Sequence, residues 1–298
     1  MIPRAPLVFV FLSLLLARPA SAQLSGLPEV EFSKLSQTDP NPLGARALAI
    51  HPEEWKHAET EHFIYHFFHG YVATPVSVEA EFHYRVVVKE LEREPPAADT
   101  KSHVYIFERP EDWEQFQTVG GLEKWTGGIH SEGSLFIQRN PRNRFSDNTL
   151  GHEIVHLVMH RFYPSGIPRW LDEGFAQYIS KNAHASYQRA RGYLAKPTSR
   201  PVEKDDLFPL SQLTTMSYPT ETERVGVFYE EAERLVRFLV ATDKSSFLGL
   251  LDALSHHQPF EKALTSYYAG RFPTMATLET RFREYAANDY AVAGNPGG

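Results

Sequence analysis

Hydrophobic positions follow one pattern up to about residue 147 and another beyond it. In the first part, short apolar runs at 61–68, 104–107 and 134–138 predict strands. Between the first two runs, apolar residues recur at helical spacing over 78–94 and predict a helix that ends at a Pro-Pro pair. A second helix is predicted to begin at Pro110. We therefore expect this part to be a small mixed α/β unit.

Beyond this point the apolar positions recur at helical spacing. The predicted helices cover 147–163, 169–181, 225–241, 245–256, 259–269 and 274–287, with Asp147 as the N-cap of the first. A connection rich in Pro, Ser and Thr, 197–222, interrupts this series. It is longer than compact domains usually tolerate without a functional reason. We expect it to border a functional cleft and to set specificity.

The first 22 residues have the three parts of a secretory signal peptide. Arg4 lies in a short first region, an apolar run extends from Leu7 to Leu16, and Ala20-Ser21-Ala22 forms a small-residue cleavage site. Because the run is too short to cross a hydrocarbon core of about 30 Å, a membrane anchor is the weaker interpretation. We expect cleavage after Ala22 and an exported, periplasmic or secreted protein of bacterial type, with no membrane span in the mature chain.

The remaining chain divides by its patterning into three parts. Residues 23–57 carry scattered Pro, Gly and polar positions and are expected to form an irregular lead-in. Residues 58–288 are expected to form one domain, with an α/β part at 58–163 and a helical part at 164–288. The last residues, 289–298, are expected to fray.

Composition narrows the possible functions. The chain has 298 residues, 42% of them apolar, and a net charge of −7, so it is a globular protein without the basic surface that nucleic-acid binding requires. It contains no cysteine, which excludes disulfides, thiolate metal sites, iron–sulfur clusters and cysteine nucleophiles. The 14 histidines are therefore the main candidates for soft metal ligands.

The strongest candidate for chemistry is the segment 151–160, which contains His152-Glu153-x-x-His156. On a helix, residues four apart lie one above the other, so both imidazoles can reach one metal at about 2.0–2.1 Å. Glu153 is rotated one step around the helix, where its carboxylate can take a proton from a metal-activated water.

A carboxylate on the next predicted helix completes the candidate site. A break at Pro164-Ser165-Gly166 precedes the segment WLDEGFAQY, and an antiparallel return after this break would bring Glu173 to the open side of the metal. Two histidines and one carboxylate leave a fourth position for water, as in catalytic zinc sites. Zinc is inferred from this ligand set, although other divalent ions would fit by affinity alone.

These residues resemble those of the gluzincin metallopeptidases, and more closely the peptidase MA-like domains, which are relatives of the thermolysin and aminopeptidase N catalytic domains. The resemblance covers roughly 58–288 and is carried by HEIVH, WLDEGFAQY and VFYEEAERLVRFL at 227–239. It implies that His152, His156 and Glu173 bind one zinc ion and that Glu153 is the general base.

The resemblance also suggests residues around the metal. In aminopeptidase-like relatives, a tyrosine that opens a helix donates its hydroxyl to the oxyanion, and Tyr229 fits that frame, with Tyr218 as the second candidate. The alternative for Tyr229 is a core tyrosine on an amphipathic helix. Asp172 and Asn148 are candidates to orient a ligand imidazole.

Relatives of this kind bind extended substrate along an edge strand that lines the cleft. The candidate here is Gly127-Gly128-Ile129-His130, leading into the strand at 134–138. Aminopeptidases carry a G-x-M-E-N signature in this region, whose glutamate binds the substrate amino group. This chain lacks the signature; Glu132 is a candidate for that role, but the difference favours an endopeptidase over an aminopeptidase.

Four other histidines are given structural interpretations. His160 lies a further turn beyond His156 and cannot share the site that the first pair spans. His62 and His66 share one face of the strand at 61–68, whereas His69 does not, and polar alternation on a half-exposed strand accounts for them better than a second metal site.

Pattern and resemblance together predict an α+β, zincin-like fold. It consists of a small mixed, mostly antiparallel sheet with an edge strand, packed against the active-site helix and followed by a helical C-terminal part. The expected function is that of an exported zinc-dependent peptidase acting on peptides or proteins. Two alternatives remain open: a catalytically silent, metal-binding module, and an amide hydrolase that acts on cell-wall material.

Overall fold

The structure, a computed structural model, describes residues 26–93, 100–124, 126–139, 148–193 and 207–293. The predicted signal peptide and Asp147 lie outside these ranges. Six strands of the described chain form one sheet: β1 (Glu29–Val30), β2 (Lys56–Glu59), β3 (Phe63–Phe67), β4 (Ser102–Phe107), β5 (Gly128–Ser131) and β6 (Ser134–Gln138).

The sheet is mixed and mostly antiparallel, as predicted. Its strand order is β1-β2-β3-β4-β6-β5. The pairs β3–β4 and β4–β6 are parallel, and the other three pairs are antiparallel. At one end of the sheet, β5 pairs with β6 alone among the described strands, so it forms the expected edge strand.

The predicted helices are all present in the described chain, and several of them are longer than predicted. The helices of the described chain are α1 (Pro42–Leu48), α2 (Gly70–Leu91), α3 (Pro110–Gly120), α4 (Thr149–Phe162), α5 (Arg169–Ala190), α6 (Leu210–Leu213), α7 (Val225–Thr242), α8 (Lys244–Ser255), α9 (Phe260–Tyr268) and α10 (Met275–Ala293). Of these, α1 and α6 were not predicted. The first turns of α2 precede the predicted start at residue 78, because Pro75 lies inside the helix and obscures its pattern.

The expectation of an irregular lead-in at 23–57 was wrong for its described part. This part contains β1, α1 and the start of β2. The strands β1 and β2 are too short to show a period. They form because β2 pairs with the buried strand β3, and β1 then pairs with β2. The start of α1 has a recognisable cap, since the Asn41 side chain accepts a hydrogen bond from the Leu43 N–H at 2.9 Å.

The last helix extends beyond the predicted end at residue 287, into the tail that the sequence predicts to fray. The last helix, α10, continues to Ala293, which makes 289–293 helical; 294–298 lie outside the described residues. Within the described chain, no helix is both long and apolar enough to span a membrane.

The core covers both faces of the sheet. Phe63, Tyr65 and Phe67 of β3 pack into the main core with α2, while Tyr105 and Phe136 lie in a second cluster on the opposite face. Every residue of β3 is buried. The prediction of a half-exposed strand was therefore wrong, because neighbouring strands and packing on both faces leave β3 no solvent-facing side.

The helix that carries the HExxH motif lies deep in this core. Ile154, Val155, Leu157 and Val158 are buried, and α4 packs on α2, α5 and the strands β5 and β6. Burial of this apolar stripe fixes the rotation of α4 about its axis. The polar face of the helix is thereby held toward the edge strand β5.

Candidate metal centre

Three predicted ligand side chains converge at the junction of α4 and α5. Nε2 of His156 lies 3.1 Å from Nε2 of His152. Oε2 of Glu173 lies 3.3 Å from the His152 nitrogen and 3.4 Å from the His156 nitrogen. The three atoms form a nearly equilateral triangle.

This triangle fits a single tetrahedral metal ion. Metal–ligand bonds of 2.0–2.1 Å place neighbouring donors of a tetrahedron about 3.3 Å apart, close to the separations observed. Oε2 of Glu173 is buried and has no hydrogen-bond partner within the described chain, and an unsatisfied buried carboxylate oxygen is costly. The donor set and this oxygen both fit a cation that would lie between the three side chains.

The turn between α4 and α5 brings Glu173 back to the two histidines. Gly166 adopts a positive φ of 82°, which a side chain would strain, and the chain then enters α5 at Arg169. Trp170 and Leu171 are fully buried and fix the first turn of α5 against the core. Because Glu173 follows on the next turn, its carboxylate faces α4.

Asp172 orients one of the two imidazoles, as the sequence suggested. Its Oδ1 lies 2.9 Å from Nδ1 of His156, and its Oδ2 lies 3.6 Å from Nε2 of His160. Burial alone would raise the pKa of Asp172, but His156 and His160 hold it below its ordinary range. Asn148, the other candidate, instead donates a hydrogen bond to Ser180 Oγ at 2.9 Å.

The second oxygen of Glu173 lies in a polar network that sequence reasoning only partly anticipated. Tyr218 donates a hydrogen bond to Glu173 Oε1 at 2.8 Å, and the Tyr229 hydroxyl lies 3.4 Å from the same oxygen. Arg169 pairs with Oε1 at 2.8 Å and also donates a hydrogen bond to Tyr218. The role of Arg169 was missed, although its spacing of four residues from Glu173 on one helix could have indicated an ion pair.

Burial and charge keep these groups in defined protonation states. Burial alone would raise the pKa of Glu173, but the imidazoles of His152 and His156 hold it well below its ordinary range. Burial and the Glu173 carboxylate raise the pKa of Tyr229 above its ordinary value. The network therefore pairs an ionised carboxylate with two protonated tyrosines.

The site opens into a cleft of about 500 Å³ between α4 and the edge strand. Glu153 lines this cleft together with the three converging side chains, both tyrosines and the strand residues Gly128, Ile129 and His130. Gly128 allows the strand to approach α4, because a methyl group there would lie 2.6 Å from Thr149 Cγ2 and 3.4 Å from Glu153 Cγ. Tyr218 comes from the 197–222 connection, so the described part of that connection borders the cleft as expected.

The remaining polar residues singled out from sequence lie outside the triangle. Glu132 is exposed in the tight turn between β5 and β6 and is not among the residues that line the cleft. His62 pairs with Glu81 at 2.7 Å, and His69 pairs with Glu108 at the same distance. His66 is hydrogen-bonded between His57 and His103, which lie on the two neighbouring strands of the sheet.

No model of a known protein family matches this sequence.

Proposed function

We propose that the protein is an exported zinc-dependent peptidase, with His152, His156 and Glu173 as metal ligands. The observation that carries the proposal is the convergence of two imidazole nitrogens and one carboxylate oxygen, 3.1–3.4 Å apart, beside a glutamate that follows the first histidine. This set of two nitrogens and one oxygen, with a cleft on its open side, is typical of catalytic zinc. The proposed export is based on the first 22 residues of the sequence.

The metal and the protein would divide the chemistry between them. A bound divalent ion polarises a carbonyl and lowers the pKa of a water. Glu153 lines the same cleft on the neighbouring position of α4. Its carboxylate is proposed to take the proton from the attacking water and to deliver it to the departing amine, so one group acts as base and then as acid.

Tyr229 is proposed to stabilise the oxyanion that forms on the attacked carbonyl. It belongs to α7, which packs closely against α5 and therefore holds the backbone of Tyr229 in a fixed place. Its contacts, 3.3 Å to Tyr218 and 3.4 Å to Glu173, are longer than the 2.8 Å hydrogen bond between Tyr218 and Glu173. Tyr218 is therefore better suited to position Glu173, and Tyr229 to turn toward a substrate.

Extended substrate is proposed to add to the edge strand β5. The strand lines the cleft, and its outer edge has no strand partner within the described chain, so its backbone can hydrogen-bond a peptide. A peptide bound this way passes the metal site with chain on either side of the scissile bond. Because Glu132 lies outside the cleft, we favour internal cleavage over release of N-terminal residues.

The test compares E153Q with the wild type on a mixed peptide library in the presence of Zn²⁺. We expect internal cleavage by the wild type, its loss after chelation, and a rate 10²–10⁴-fold lower in E153Q, the range of general acid–base catalysis. E114Q, at an exposed position of α3, is the matched control and should cleave at the wild-type rate. A wild type that binds zinc but cleaves no peptide, or an E153Q variant as fast as the wild type, would overturn the proposal.

A further inference from the structure

A second group of potential metal ligands lies inside the protein, behind the first turn of α4. Glu79 and His83 are one turn apart on α2, and His184 lies on α5. One ligand atom from each side chain lies within 4.8 Å of the other two. Glu79 Oε1 is 3.8 Å from His83 Nε2 and 4.0 Å from His184 Nδ1.

The imidazole of His83 is buried without a hydrogen-bond partner in the described part of the chain. Its side chain is fully buried, and neither ring nitrogen has a hydrogen-bond partner there. A neutral imidazole carries one donor and one acceptor, and leaving both unsatisfied in the interior is costly. The ring is closely held, because a methyl group on Gly151 of α4 would come within 2.5–2.9 Å of it.

We propose that Glu79, His83 and His184 bind a second divalent cation, of the borderline-soft class to which zinc belongs. Two imidazoles and a carboxylate are suitable donors for such an ion, and the ion would give the buried His83 ring the partner it lacks. The distances from Glu79 Oε1 to the two ring nitrogens, 3.8 and 4.0 Å, must shorten by about 0.5–0.7 Å to reach tetrahedral spacing. The ion would join α2 to α5 behind α4, and its role would be structural.

The neighbouring side chains are placed to orient two of these ligands. Arg139 donates a hydrogen bond to Glu79 Oε2 at 3.3 Å, while Oε1 is the oxygen that lies nearer the His83 and His184 rings. Nε2 of His184 lies 3.4 Å from the side-chain amide of Gln188. After rotation of that amide, Nε2–H would donate to its oxygen and Nδ1 could bind the ion.

Charge makes this second site weaker than the cleft site. The Arg139 guanidinium lies next to Glu79 and opposes an additional cation. The ligand atoms are also farther apart than those of His152, His156 and Glu173. We therefore expect a chelator to remove the ion bound at Glu79, His83 and His184 before the ion in the cleft.

The test counts Zn²⁺ by elemental analysis of the full chain after reconstitution and removal of excess metal. We expect two equivalents in the wild type, one in H184A and one in the double variant H152A/H156A. H256Q, at an exposed histidine of the C-terminal half, is the control and should retain two. Stepwise chelation of the wild type should first remove the equivalent that H184A lacks.

His184 is the preferred position because its side chain is 16% exposed and tolerates truncation better than the fully buried His83. E79Q provides a second variant, also expected to bind one equivalent. One equivalent in the wild type, unchanged in H184A and E79Q, would overturn the proposal and favour a buried water between His83 and Glu79. If the cleft binds no metal but the second site does, H152A/H156A keeps the wild-type zinc content while H184A loses zinc. Failure of the proposed function is thereby distinguished from failure of the second site.

Discussion

Asp172 and His156 form a buried pair in which Oδ1 of the carboxylate lies 2.9 Å from Nδ1 of the ring. The opposite nitrogen of the same ring faces His152 and Glu173. The carboxylate thus fixes which nitrogen of His156 is presented to the proposed metal, and it makes that nitrogen more basic.

We expect D172N to bind zinc about 10–100-fold more weakly than the wild type, because the amide no longer fixes the tautomer or adds negative charge. Competition with a chromogenic chelator measures this affinity. D112N is the control, since Asp112 is also buried and lies 3.0 Å from a histidine, His51, away from the cleft. Equal zinc affinities for D172N and D112N would contradict the assignment.

The two cleft tyrosines are expected to differ in their kinetic effects. Y229F should lower kcat about 10²–10³-fold with little change in KM, because an oxyanion donor acts only in the transition state. Y218F should mainly weaken zinc binding, since Tyr218 donates a hydrogen bond to Glu173, a proposed ligand. Steady-state kinetics at saturating zinc separates the two effects. A larger loss of kcat in Y218F than in Y229F would mean that Tyr218 is the oxyanion donor.

Stability should fall with rising pH because of Glu231. Its side chain is fully buried and accepts a hydrogen bond from Phe208 N–H at 2.8 Å. Burial raises its pKa from an ordinary 4.5 to about 7. The folded state therefore holds the proton more tightly than the unfolded state, and this contribution is complete below pH 4.5 and lost as the pH rises through 7.

At about 1.4 kcal/mol per pH unit, Glu231 should cost the folded state about 3 kcal/mol between pH 4.5 and 7. E231Q cannot ionise and should remove this loss. Urea unfolding of both proteins at pH 5 and pH 8 gives the comparison. If the wild type and E231Q show the same difference in unfolding free energy between these two values, ionisation of Glu231 is not responsible.

A row of three buried imidazoles should produce the opposite dependence on the acid side. His66 lies 2.8 Å from His57 through one ring nitrogen and 2.8 Å from His103 through the other. Burial, together with the neighbouring imidazoles, lowers the pKa of His66 well below 6.5, and burial also lowers that of the other two. The contribution of the row is present above pH 6.5 and is lost as the pH falls, because the unfolded chain takes up protons first.

We expect H66F to retain much of the packing, since the His66 ring stacks on Tyr105 at 4.3 Å. It should also reduce the pH dependence of stability between pH 5 and 6 by about one proton, or about 1.4 kcal/mol per pH unit. Urea unfolding at several pH values in this interval measures the slope. An unchanged slope in H66F would mean that His66 is protonated in the folded state.

Local patterns in the sequence predicted much of the architecture and the candidate ligands. The helical period gave the positions of α4, α5 and α7, and the four-residue spacing of His152 and His156 placed both imidazoles on one face. These features depend on contacts within a few residues. The fold class could be predicted for the same reason, since apolar runs and periods are properties of short segments.

Contacts between distant segments decided the rest. The burial of β3, the strands of the lead-in and the row of His57, His66 and His103 depend on which strands become neighbours in the sheet. The hydrogen bond from Tyr218 to Glu173, and the gathering of Glu79 and His83 with His184, depend on how helices and the connecting segment pack. The sequence alone could specify which side chains were available for this chemistry. Which of them meet was decided only when the hydrophobic core fixed the helices and strands against one another.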